Sequence, residues 1–115
     1  MSSEQDVTTR KLVSQLLGED PEFRDVVGEF VEGLTKRLDD MKKAYEKTDW
    51  ESLTTFAHRL KGAGGSYGYP EISEVGAKME HSFRAHDAGE FSAWINELNE
   101  LVAAAMAGLS EEKPA

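Results

Sequence analysis

Residues 21–47 read PEFRDVVGEFVEGLTKRLDDMKKAYEK, and in them Phe23, Val26, Val27, Phe30, Val31, Leu34, Leu38, Met41 and Tyr45 recur at intervals of three and four. Such spacing marks one face of a long helix with a charged opposite face. Pro21, after Asp20, suits a helix start, where a missing N–H does no harm, and the pattern ends near Lys47. Downstream, Asp49 is placed to cap a second helix with the stripe Trp50, Leu53, Phe56, Ala57 and Leu60, which runs into the glycine-rich segment Gly62 to Gly68. Pro70 opens a third helix with Ile72, Val75, Met79 and Phe83 inward, and His86-Asp87-Ala88-Gly89 ends it. A fourth carries Phe91, Trp94, Ile95, Leu98, Leu101, Val102 and Met106. No segment alternates with period two, so strands find no support. The reading is all-α: an up-down-up-down four-helix bundle, with a short additional N-terminal helix over Val7 to Leu17 covering one end.

The chain has 115 residues, 39% of them apolar, enough for one core and too few for a second domain. We place a single helical domain at 1–110 and a polar, frayed tail at 111–115. With 13 basic and 22 acidic residues the net charge is −9, which disfavours nucleic acid and anionic membrane surfaces as partners. The absence of cysteine excludes disulfides, thiolate metal sites and a thiol nucleophile. The N-terminus lacks a signal-peptide pattern, and the longest apolar run, Leu101 to Leu109, is far short of the ~20 residues that span a bilayer. The expected compartment is the cytoplasm.

At the chain's average density, a stretch of nineteen residues should hold between three and four acidic ones, yet Ser52 to Pro70 holds none and contains Arg59 and Lys61. A cationic patch on an acidic domain suits an anionic group, phosphoryl or carboxylate. At about 100° per residue, Leu53, Ala57, Leu60 and Gly64 share one sector and His58 lies roughly 120° from its centre, facing out. Thr54, Lys61, Gly62 and Gly65 share its side, with Glu51 and Thr55 nearby. Glycine inside a helix costs roughly 0.5–1 kcal/mol relative to alanine. Helix termination accounts for Gly65 and Gly68, but less well for Gly62, one turn past the histidine, where close approach of another backbone is the better explanation. An exposed imidazole titrating near about 6.5 offers a nucleophilic nitrogen at neutral pH, and Lys61 can neutralise oxygens of a group attached to it. Phosphoryl transfer fits best.

Other chemistries fail on spacing. Thr55, Lys78 and Phe83 stand three residues before the histidines His58, His81 and His86, so no Glu-x-x-His dimetal ligand pair exists. His-Glu-x-x-His, a phosphate loop ending in Lys-Ser or Lys-Thr, and a Gly-x-Ser-x-Gly elbow are absent. Gly62-Ala63-Gly64 follows no strand, so a dinucleotide fold has no footing. His81 and His86 read as surface residues.

The run Ala57-His58-Arg59-Leu60-Lys61-Gly62-Ala63-Gly64-Gly65-Ser66-Tyr67-Gly68 closely resembles the signature of histidine-containing phosphotransfer (HPt) domains, His-x-x-Lys-Gly with a second glycine ten positions after the histidine. Glu80, in Met79-Glu80, stands twenty-two residues after the histidine, where the family often has Leu-Glu or glutamine. The resemblance spans about Phe23 to Val102 in helix pattern and Phe56 to Arg84 in motif. His58-Arg59-Leu60-Lys61-Gly62 looks more like standalone or hybrid-kinase members than like the Ala-His-Thr-Leu-Lys-Gly of chemotaxis kinases, and Met1 with a short polar tail suits a standalone protein.

The resemblance implies that His58 takes a phosphoryl group from the aspartyl phosphate of one receiver domain and passes it to the aspartate of another. Lys61 would stabilise the phosphoryl oxygens, Gly62 leave room for the receiver and Gly68 permit tight helix packing beneath the site. Glu80 would accept a hydrogen bond from His58 Nδ1, presenting Nε2 as nucleophile. Arg84 would border the site, and Thr54, Thr55, Arg59 and Gly65 would join the docking face. The partners implied are receiver domains of response regulators or hybrid histidine kinases, met by a monomer. The chain would be a phosphocarrier with no kinase or ATP site and no bound cofactor, the Mg²⁺ residing in the receiver's acidic pocket. Two other readings are a bundle that docks receivers or other proteins without carrying phosphate, against which His58, Lys61 and Gly62 argue, and a hydrolase using His58 as base, which lacks a second catalytic group at recognisable spacing.

Overall fold

The computed structural model describes residues 12–112, in which a short helix α1 (Gln15–Glu19) and a 3₁₀ turn (Pro21–Phe23) precede four long helices, α2 (Arg24–Glu46), α3 (Trp50–Ser66), α4 (Pro70–Arg84) and α5 (Phe91–Glu112). Each start has a local cause. Ser14 caps α1 by accepting from the Leu16 N–H, Asp20 caps the 3₁₀ turn by accepting from Glu22, and Asp49 caps α3 through Ser52. Pro70 occupies the first turn of α4, where no N–H is needed.

Side-chain contacts fix the directions. The Arg24 guanidinium donates to the Leu109 carbonyl at 2.8 Å, while Tyr45 stacks on Phe91 with centroids 4.0 Å apart, so α2 and α5 run antiparallel. Phe30 stacks on Tyr67 at 4.6 Å, pairing the start of α2 with the end of α3. Phe83 meets Phe91 and Trp94 where α4 turns into α5. The result is the up-down-up-down bundle, with Val27, Val31, Leu34, Leu53, Ile72, Met79, Phe83 and Leu98 among the residues fully enclosed in its core. Burying each large aliphatic or aromatic side chain is worth about 1.5–3 kcal/mol, so this shared core, rather than helix propensity, holds the helices together.

The stripes read from spacing are mostly the buried ones, but Trp50, Phe56 and Trp94 are half-buried and four residues lie further out. Phe23, Val26, Tyr45 and Met106 are exposed. Phe23 precedes α2 proper, and Val26 lies one full step around the helix from the buried Val27. Tyr45 stays on the stripe but at the bundle's end, stacked on Phe91, and Met106 sits at the edge of α5's buried face. Ala44 is buried in α2 instead.

The helix expected over Val7 to Leu17 is shorter and later. Leu12 to Ser14 are non-helical, because Leu12 N–H donates to the Ala104 carbonyl at 2.9 Å and Ser14 Oγ donates to the Tyr67 carbonyl at 2.5 Å, which straps the chain across the bundle end. Val7 to Lys11 lie outside the described residues. At the other terminus α5 runs on to Glu112, past the boundary drawn at residue 110, and residues 113–115 lie outside the described ones.

Under α3 and α4 the packing is closest. A Cβ on Gly64 would stand 2.7 Å from the Ser73 nitrogen, and one on Gly76 would stand 2.7 Å from the Lys61 nitrogen. Backbones this near admit only glycine, and Ser73 Oγ tightens the seam by donating to the Lys61 carbonyl at 2.7 Å. The seam matters because it brings Glu80 of α4 within reach of α3.

Candidate functional site

His58 sits in the middle of α3 with 64% of its side chain exposed, whereas the Glu80 side chain behind it is only 7% exposed. A buried carboxylate needs partners, and Glu80 has three. His58 Nδ1 lies 2.9 Å from Oε2, Lys61 Nζ 2.9 Å from Oε1, and Arg84 Nη2 2.6 Å from Oε2. The hydrogen bonds from Arg84 and then Lys61, aided by that from His58, outweigh burial and hold the Glu80 carboxyl at about 2, below its ordinary 4.5.

An ionised Glu80 can only accept, so Nδ1 carries the ring proton and donates it. Nε2, on the other edge of the ring, then keeps its lone pair and has no hydrogen-bond partner among the described residues. Alignment on one carboxylate fixes the ring's tautomer and its plane, as an orienting carboxylate does for a metal-bound or catalytic histidine.

Of the residues expected on the docking face, Thr54 is half-buried, and Thr55, Arg59, Gly62 and Gly65 are exposed; Thr54 and Thr55 line a depression with Arg84, whereas Arg59 lines a cleft with Arg37 and Asp40 of α2. Among the described residues, nothing outside its own helical turn lies within 4 Å of where a Gly62 Cβ would be. The fold therefore does not require glycine there. Gly65 is similarly open, its Cβ position 3.8 Å from Ser73 Oγ.

Gly68 is structural but not beneath the site. It takes φ +85° in the α3–α4 turn, and a Cβ there would lie 2.5 Å from the Leu16 nitrogen and from Ser14 Oγ, so it makes room for the N-terminal strap. The close helix approach under His58 is made by Gly64 and Gly76 instead. Gly76 and Ser73 were not singled out from sequence, because a glycine and a serine in an amphipathic helix carry no signal without knowing which helix they face. Arg84, 65% exposed, belongs to the histidine cluster itself through Glu80. The i, i+4 spacing of Glu80 and Arg84, with the acid first, was a legible pointer to that pair.

His81 and His86 are both exposed. His81 lines a shallow depression with Lys61, Ala77, Glu80 and Arg84. His86 has φ +57° and stacks on Trp50, centroids 5.4 Å apart. Among the described residues no group of three or more His, Asp or Glu side chains could hold a metal ion, and no helix is long and apolar enough to cross a membrane.

Comparison with known families gives a match between residues 25–108 and the family described as Hpt domain. No curated protein and no solved structure matches the chain.

Proposed function

The chain belongs to the Hpt domain family, the phosphocarrier modules of two-component phosphorelays, and on that premise we propose that His58 accepts a phosphoryl group from the aspartyl phosphate of one receiver domain and delivers it to the aspartate of another. The observation that carries this reading is the hydrogen bond from His58 Nδ1 to a buried, ionised Glu80, which leaves Nε2 as the nucleophilic nitrogen on an exposed face.

In the accepting step the Nε2 lone pair attacks phosphorus, the bond from phosphorus to the aspartyl oxygen breaks, and its electrons leave with the carboxylate. The ring keeps its Nδ1 proton and becomes a phosphoimidazolium whose positive charge faces Glu80. Delivery runs the same path backwards. Lys61, on the neighbouring turn, lies 2.9 Å from Glu80 and within the same cluster, available to the phosphoryl oxygens as negative charge arrives. Positioning is most of the catalysis, since phosphoryl transfer asks little covalent chemistry of the protein beyond the nucleophile.

The proposed partners are receiver domains of response regulators or hybrid kinases, met by a monomer in the cytoplasm, with the Mg²⁺ that the reaction uses held by the receiver. Kinase and nucleotide-binding activity have no place in this reading. A bundle that only docked receivers would have no use for a carboxylate buried behind an exposed imidazole. Incubation with a receiver phosphorylated on aspartate, in Mg²⁺, tests the proposal: acid-labile, base-stable label should appear on His58, and absence of label on any histidine would refute it.

A further inference from the structure

Glu80 offers two oxygens to three donors, and they are not shared evenly. Lys61 has Oε1, while Arg84 and His58 meet on Oε2, at 2.6 and 2.9 Å. We infer that Arg84 is a positioning residue that limits the pull of Glu80 on the His58 Nδ1 proton, and so keeps the imidazole neutral and Nε2 nucleophilic near neutral pH. The inference rests on the reading of His58 as the nucleophile.

The argument is electrostatic. A lone carboxylate beside an imidazole favours the doubly protonated ring, in which Nε2 has no lone pair to give. Its grip on Nδ1 is nevertheless useful, because it sets the tautomer. Arg84 reconciles the two demands by drawing on the same oxygen, and its fixed charge opposes a second charge on the ring. Because the 2.6 and 2.9 Å contacts share one atom, Arg84 Nη2 and His58 Nδ1 are within about 5.5 Å of each other. Unit charges at that separation shift a titration by roughly half a pH unit even in a water-like dielectric.

The other charged or titratable side chains near the cluster are Lys61 on α3 and His81 on α4, which line one depression with Glu80 and Arg84, and Glu51 on α3, which lines another with Arg84, while Arg59 lines a separate cleft with Arg37 and Asp40 of α2. Among them Lys61 also touches Glu80, but on the oxygen that His58 does not use. Arg84 is mostly exposed and its guanidinium has no partner among the described residues other than Glu80, so its removal opens no cavity.

Histidine ring titration by NMR on the intact protein tests the inference without a receiver. Arg84→Met should raise the His58 midpoint by about half a unit, and Arg84→Lys, which keeps the charge, should return at least half of that shift. The pH profile for accepting phosphoryl from a labelled receiver should move alkaline by the same amount, a loss of roughly threefold below the midpoint. A midpoint unchanged or lowered in Arg84→Met, with the domain folded by circular dichroism, overturns the inference, as does a shift that Arg84→Lys does not reverse. A wild-type protein that takes no label from phosphorylated receivers removes the carrier reading instead, and the titration still decides the role of Arg84.

Discussion

Replacing Gly62 separates what the fold needs from what a partner needs, because the two respond with opposite sign. The glycine lies inside α3, four residues before its end, is exposed, and among the described residues has nothing outside its own helical turn within 4 Å of the position a Cβ would take. Glycine in a helix interior costs about 0.5–1 kcal/mol relative to alanine, so Gly62→Ala and, to a slightly smaller extent, Gly62→Gln should stabilise the domain. For a chain of this size that gain is a rise of roughly 2–5 °C in Tm. Gly64 is the internal control. Its Cβ would meet the Ser73 backbone nitrogen at 2.7 Å, an overpacking that typically costs about 1–3 kcal/mol, so Gly64→Ala should melt lower.

Transfer should follow the other order. On the proposed function a receiver has to bring phosphorus into line with His58 Nε2, one helical turn from Gly62, and a misplacement of ~1 Å can cost about a hundredfold in rate. A Gln side chain at 62 occupies space that the fold leaves open beside the ring, so receiver affinity and transfer rate should both fall while Tm holds or rises. Thermal melts, calorimetric titration with the receiver and quenched-flow transfer of labelled phosphoryl measure the three quantities. Transfer by Gly62→Gln within twofold of wild type at subsaturating receiver would refute the close-approach argument, whatever the melting temperature.

His58→Gln should fold and bind receivers yet carry no acid-labile, base-stable label, since an exposed side chain is exchanged without opening a cavity; label remaining on the variant places the acceptor elsewhere. Lys61→Ala should slow transfer by about tenfold at saturating receiver without abolishing it, because charge stabilisation goes and the nucleophile stays. Acid stability should depend on Glu80: with its pKa lowered from 4.5 to about 2 in the folded state, its contribution is complete above pH 4.5, declines as pH falls through the interval and is gone below 2. Urea unfolding of wild type and Glu80→Gln at pH 7 and pH 2.5 checks this, the variant being expected to lose less stability between the two.

The long-range architecture was legible because it rests on period. Residues such as Val27, Leu34, Ile72 and Met79 recur on the stripes and are fully buried, and Pro70 and Asp49 mark helix starts by rules that act within a few residues. The misreadings fall where a residue's fate depends on a distant neighbour. Leu12 to Ser14 leave the helical pattern because Ala104 and Tyr67 supply hydrogen-bond partners that no local rule reveals. Gly68 was recognisable as special, but its reason, the passage of Ser14 and Leu16 beneath it, belongs to the other end of the chain. The same limit applies at the site. His58, Lys61 and Gly62 are neighbours on one helix, and helical geometry places them; Glu80 is legible through resemblance alone, and the sharing of its Oε2 between Arg84 and His58 depends on how α4 packs against α3.

On the proposed reading of His58 as phosphoryl acceptor, charge balance connects that arrangement to carrying rather than keeping the group. With His58 neutral, Lys61 and Arg84 against Glu80 leave the cluster one net positive charge. A dianionic phosphoryl on Nε2 together with the imidazolium charge it creates brings the same cluster to neutrality. Uptake is therefore favoured by the field, but by about one charge, in an exposed site where solvent screens it. Without Glu80 the two cations would face the dianion alone, which would hold it more tightly, and would face an imidazolium with no carboxylate to compensate it. Burying the carboxylate beneath the ring would thus weaken the trap for phosphate, and by keeping the Nδ1 proton on the ring it would let a neutral imidazole depart when the group is handed onward.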